Sequence, residues 1–235
     1  MSRLRALLSG SKVKARHIKR TLIMSPDDDV SQPTPHLIDI VLQAARTAMD
    51  TDLPEVSARI STPPYWPDYW PGEHYRLLAA FVRILKPAKI IEIGTHTGLS
   101  ALSLKQYLPD TASIHTFDVI PWDEIPDTSL KADDFKDGKL TQIIADMGNP
   151  ETMAEHADKL KDASLFFVDG PKDKIFEPAF LKNLEQIKFT SPPYLIFDDT
   201  KDWNMLKVWR DIKAPKLDIT SFGHWTGTGI VHWTP

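Results

Sequence analysis

Residues Lys89-Ile-Ile-Glu-Ile-Gly-Thr-His-Thr-Gly-Leu-Ser100 constrain the fold more than any other stretch of the chain. Lys89–Ile93 is a short apolar run around one carboxylate, Glu92, closed by Gly94. Such a run, bounded by glycine, reads as a central parallel strand. Gly98 follows, and Leu99–Tyr107 continues as a helix. Glycine permits positive φ and lets the backbone pass close to a ligand where a side chain would obstruct it. A strand, a glycine loop and a helix at the start of an α/β sheet form the place where nucleotide-like ligands bind.

The rest of the chain continues the alternation. His36–Met49 carries Leu37, Ile40, Val41, Ala44 and Ala45 at helical spacing, and a second helix runs from about Gly72 to Leu85. Strands are expected at Ser113–Asp118, Leu140–Asp146, Ser164–Asp169 and Tyr194–Asp199, with a helix over Pro150–Leu160 and another starting near Asp202. Lys216–Phe222 and Gly227–Trp233 lie too close together for a crossover helix, so they must run antiparallel. The expected architecture is a three-layer Rossmann-like α/β sandwich. Its seven-stranded, mostly parallel sheet ends in an antiparallel hairpin and is preceded by a helical extension. Residues 1–72 form the extension and 73–235 the ligand-binding domain. Between Pro63 and Pro71 four prolines exclude a helix or central strand, and four aromatics either cover a ligand or plug the core.

Bulk properties narrow the partners. A hydrophobic content of 42% and seven tryptophans fit a folded globule. No apolar run reaches the roughly 20 residues of a membrane span. The basic start lacks the apolar core of a secretory signal. Without cysteine, disulfides and thiolate metal sites are excluded, and a cytoplasmic protein is expected. Residues 1–20 hold seven Lys/Arg and no acid, leaving 21 of the 28 basic residues beside all 32 acids. That acidic body argues against a nucleic-acid partner. The basic arm and the Trp-rich segment are candidate contacts for a homodimer.

Acids stand at nearly every strand end on one rim: Asp118, Asp146, Asp169, and Asp198 with Asp199. In an open parallel sheet that rim faces the ligand. A carboxylate at Asp118 can accept both hydroxyls of a ribose. The loop Gly94-Thr95-His96-Thr97-Gly98 lacks the middle glycine of dinucleotide sites. It resembles motif I of class I S-adenosylmethionine (SAM) methyltransferases, most closely the catechol and caffeoyl-CoA type O-methyltransferases. The resemblance implies that Glu92, Gly94, Thr95, His96 and Gly98 face the amino-acid end of SAM. It also implies that Asp146 and Met147 contact the adenine.

Phe166-Phe-Val-Asp-Gly-Pro-Lys-Asp173 and Ile196-Phe-Asp-Asp-Thr200 resemble the metal motifs of the cation-dependent members. Carried over, Asp169, Asp198 and Asp199 would hold Mg²⁺, and Lys172 would take the proton from a hydroxyl of the acceptor. The second motif departs from the family's D-N pair, and its D-D form is similar to the macrocin-type sugar O-methyltransferases. Gly170-Pro171 also replaces the usual residues before the lysine. The competing reading makes Asp169 a loop cap and Asp198 and Asp199 caps of the following helix. His224, in the glycine-rich turn before the last strand, is a further candidate base. Two alternatives stay open: metal-independent methyl transfer with His224 or Asp169 as base, and a SAM-fold protein that binds without catalysis. Ser191-Pro-Pro-Tyr194 looks like an amino-methyltransferase motif but precedes the fifth strand, where it reads as a strand entry.

Overall fold

The computed structural model describes residues 31–234. The basic arm and most of the expected linker lie outside those residues. Helix α1 (Pro35–Met49) starts at Thr34, whose hydroxyl accepts the Leu37 N–H at 3.1 Å, with proline at the first helical position. A one-turn helix α2 (Pro54–Ser57) and a 3₁₀ turn at Trp66–Asp68 follow. Helix α3 (Tyr75–Leu85) buries six consecutive residues, Leu77 to Val82. Its apolar residues need cover on more than one side, while Arg76 and Arg83 share the remaining face. The sheet and α4 cover one side of α3, and α1 packs along another. The extension therefore belongs to the same core as the domain it precedes. Arg76 donates to the Met49 and Thr51 carbonyls, the latter at 2.8 Å, and Arg83 to that of Asp50, which closes the end of α1.

Strand β1 (Lys89–Ile93) leads through the glycine loop into α4 (Leu99–Gln106). Then come β2 (Ser113–Asp118), β3 (Leu140–Ile144), the short helices α5 (Pro150–Glu155) and α6 (Ala157–Leu160), β4 (Leu165–Val168) and α7 (Phe176–Leu184). The chain ends with β5 (Tyr194–Asp198), α8 (Leu206–Asp211), β6 (Lys216–Asp218) and β7 (Thr228–His232). The seven strands lie in the order β3-β2-β1-β4-β5-β7-β6, parallel except where β7 pairs with β5 and β6. One core cluster packs α1, α3 and α4 on one face of the sheet. The other fills the opposite face with α5, α6, α7 and α8 residues around Phe166, Phe197 and Val231.

The expected sheet is present, with local differences at its ends. The helix expected over 150–160 breaks at His156, whose φ and ψ leave the helical region while its ring packs edge-on to Phe117. Strand β6 stops at Asp218 because that carboxylate turns back onto the Thr220 N–H and hydroxyl. The Pro-rich segment puts Tyr65, Tyr69 and Trp70 at the surface, so it does not plug the core.

Lys216, a residue only 3% exposed, opens β6. It donates to the carbonyls of Trp209, Arg210 (3.1 Å) and Ile212 (2.7 Å), closing the end of α8, and lies over the Trp209 ring. Lys216→Met should lower unfolding free energy by about 2–4 kcal/mol, because it strands these carbonyls in the core. A urea titration followed by circular dichroism measures this. An unchanged midpoint would show that the cap contributes nothing.

Candidate functional site

The order of the strands reverses between β1 and β4, so their carboxyl ends open a crevice. Glu92 lies at this point on β1, paired in register with Thr116 and Phe167. It is fully buried, with no hydrogen bond of good geometry to either carboxylate oxygen. Burial pushes its pKa up to about 7, a rise held in check by the Ser100 and Thr116 hydroxyls. A buried carboxylate costs several kcal/mol unless it is protonated or paired, and either a proton or a cationic ligand group would relieve it here.

Gly94 has φ +92, and a Cβ there would stand 2.1 Å from the Asp169 carbonyl oxygen. No other residue lets the cofactor-type loop lie against the end of β4. Thr95 bonds Thr116 through their hydroxyls at 2.7 Å. Asp118 organises the same loop. One of its oxygens accepts the Thr95 and His96 N–H groups at 2.8 and 3.0 Å, the other those of Val119 and Ile120 at 2.7 and 3.1 Å. Ribose hydroxyls would have to share these oxygens with four amides. Gly98 packs against Leu130 in a left-handed conformation. Asp146 is exposed and accepts the Gly148 N–H at 2.8 Å. Met147 differs from expectation: its side chain is 1% exposed within the core beside the sheet and cannot lie over a ring at the surface. The exposed apolar side chains at the ends of β2 and β3 are Val119, Ile120 and Ile144, and sequence reasoning passed over them. Their signal was present as apolar residues directly following a strand-end acid and closing a strand.

Across the crevice, the structure brings Asp169, Asp198 and Asp199 together, with one oxygen of each within 4.8 Å of the others. None caps a helix. Asp173 accepts the first N–H groups of α7, and α8 begins only at Leu206. Lys172 forms ion pairs with Asp169 and, at 2.9 Å, with Asp199. Its N–H donates to Glu177 at 2.7 Å and its carbonyl accepts from Asn204 at 2.8 Å. Gly170 is explained by the same packing, since a Cβ would meet the Phe176 ring at 2.7 Å. Burial opposes the charge on Lys172, but the two aspartates outweigh it and raise its pKa. With both aspartates beside it and no cation, Lys172 favours the ammonium form. Asp169 moves up, driven first by burial and next by Asp198, against the pull of Lys172.

His224 completes this side. Its Nδ1 lies 3.3 Å from Asp198 Oδ1, 3.4 Å from Asp199 Oδ1 and 2.7 Å from the Thr226 hydroxyl, and its Nε2 lies 3.8 Å from Glu73. Burial opposes protonation, but Asp198 and Asp199 lift the His224 pKa to about 10. His74, a residue that sequence reasoning did not single out, is 4% exposed and places Nδ1 3.4 Å from Asp198 Oδ1. It read only as a polar residue ahead of a helix. Its own pKa also rises, Asp198 overcoming the effect of burial. Asp198 is held well below the usual carboxylate range, because His74 and His224 outweigh burial. At the mouth, Trp225 stacks on His224 and meets Trp66 edge-on at 5.9 Å.

No protein-family model matches the chain, and no curated protein matches it in sequence. Solved structures do match. The SAH-bound methyltransferase PaMTH1 of Podospora anserina aligns with a TM-score of 0.54 at 17% identity, covering 97% of this chain and 96% of that one. An O-methyltransferase from Bacillus cereus in complex with SAH gives 0.51 at 17% identity, over 80% and 88% of the two chains. TomG, an O-methyltransferase of Streptomyces achromogenes in complex with SAM, gives 0.50 at 17%, over 83% and 90%. Glycine loop, strand order and terminal antiparallel pair together give this chain the class I O-methyltransferase-like fold.

Proposed function

We propose that the chain is a SAM-dependent methyltransferase acting on a hydroxyl of a small molecule. Buried Glu92 behind the Gly94 loop carries this reading, since it is suited to a ligand bearing a cationic amine. Gly94, Thr95, His96 and Gly98 would form the wall of the cofactor site, with Asp118 setting the shape of the loop. Asp146, Val119, Ile120 and Ile144 stand where the nucleoside would lie. SAM, when bound, supplies a methyl group activated by its sulfonium.

The chain's own part is to align the acceptor oxygen and remove its proton. Asp169 fits the proton acceptor, because it adjoins Gly94 and burial brings its affinity for a proton upward. Lys172, as an ammonium, would stabilise negative charge on that oxygen. The aspartate trio has the hard oxygen donors Mg²⁺ prefers, but Lys172 already supplies the positive charge between Asp169 and Asp199. A metal-independent proton transfer is favoured by that ion pairing. The Trp66–Trp225 pair suits a flat acceptor.

Calorimetric titration should give SAM a dissociation constant in the micromolar range, about −8 kcal/mol. No heat at any temperature would sink the reading. Glu92→Gln should weaken SAM binding while stabilising the free protein in a pH-dependent way. A pKa raised to about 7 means the stability of wild type is full below its ordinary value and is lost as pH rises through 7. The variant should therefore gain up to roughly 3 kcal/mol at pH 8 and almost nothing at pH 4.5. An equal change at both pH values would refute the buried charge. Asp169→Asn should keep SAM affinity and lose about 10²–10⁴-fold in kcat, read as SAH release with a panel of hydroxylated acceptors.

A further inference from the structure

We propose that His74, Asp198 and His224 form a binding site for a divalent metal ion of the zinc class. The three residues come from separate elements: the residue before α3, the end of β5 and the loop before β7. One donor atom of each lies within 4.8 Å of the others.

Two observations point to an ion. His74 Nδ1 and Asp198 Oδ1 are buried and without a hydrogen-bond partner, on residues only 4% and 3% exposed. The two atoms lie 3.4 Å apart. Second, Asp198 Oδ1 stands 3.4 Å from His74 Nδ1 and 3.3 Å from His224 Nδ1. Charge-assisted hydrogen bonds are shorter, about 2.7–2.9 Å. A tetrahedral ion with bonds of about 2.05 Å holds its donors roughly 3.3 Å apart. These two spacings match those of donors arranged around such an ion.

The donor set selects the ion. Two imidazoles and one carboxylate suit zinc and its neighbours better than Mg²⁺, which prefers oxygen alone. Three protein ligands leave a fourth position for water. Three carboxylates, Asp169, Asp198 and Asp199, crowd this cluster, with Lys172 pairing Asp169 and Asp199. Glu73, near His224 Nε2, adds to that field from the rim. Thr226 competes for His224 Nδ1 in the metal-free arrangement, and its hydroxyl also donates to Asp199, the bond it would keep. The site does not rest on the cofactor reading.

The test is equilibrium titration of the chelator-stripped full chain with Zn²⁺ against a chromogenic competitor, repeated with Co²⁺ as a spectroscopic probe. Wild type should take up one equivalent and show the intense visible bands of four-coordinate Co²⁺. His74→Ala and His224→Ala should each weaken uptake by at least about tenfold, and Asp169→Asn by less than about threefold. SAM titration of every variant checks the fold independently, and His224, nearer the surface, serves where His74→Ala does not fold. No saturable uptake, or His variants that bind as wild type does, would overturn the site. Asp169→Asn losing the ion as fully as the His variants would overturn it too, in favour of the aspartate trio. Zinc uptake without SAM binding would leave the metal site standing and remove the cofactor reading; the reverse result would do the opposite.

Discussion

Everything in the crevice depends on how closely two backbones meet. At the strand-order reversal, Gly94 lies against the carbonyl of Asp169 with no space for a side chain between them. That approach joins the two halves of the site, the glycine loop after β1 and the charged cluster after β4 and β5. It also sets the distance between a ligand held by the loop and an oxygen held by the aspartates. A substitution at this glycine would force the strand ends apart and misalign both halves together.

The cluster is built on charge balance within a largely dry setting. Asp198 and His74 are almost fully buried, whereas Lys172, Asp169, Asp199 and His224 are partly so. In such a place each carboxylate needs a positive neighbour, and each cation a negative one. Lys172 meets that need for Asp169 and Asp199, and the two imidazoles for Asp198. The consequence is a set of groups whose protonation is mutual, so that no one of them titrates alone. Lys172 illustrates the point: position in a motif identified it, but its neighbours decide whether it accepts a proton or holds one.

The framework was legible because strand burial leaves a mark on sequence. Ile90, Ile91, Phe166, Phe167, Leu195 and Ile196 are apolar since both faces of the central sheet are covered, and glycines or acids end the runs. Gly94 and Glu92 were legible for the same reason, as exceptions inside a buried strand. Residues on loops were not. Met147 follows a strand-end acid, yet the turn at Asp146 directs it into the core. His74 carries no pattern in sequence, because its meaning comes from β5 and from the loop before β7, more than a hundred residues away. His156 breaks a helix that propensity would have continued, since its ring packs against Phe117. Tertiary contact decided each of these cases, and local periodicity contains no record of it.

Asp118 has a further implication. With four backbone amides gathered on one carboxylate, the glycine loop already has its shape before any ligand arrives. The entropy lost in ordering that loop is lost once, during folding, and not again at each encounter. Ligand exchange at this loop can then proceed as the docking of rigid surfaces.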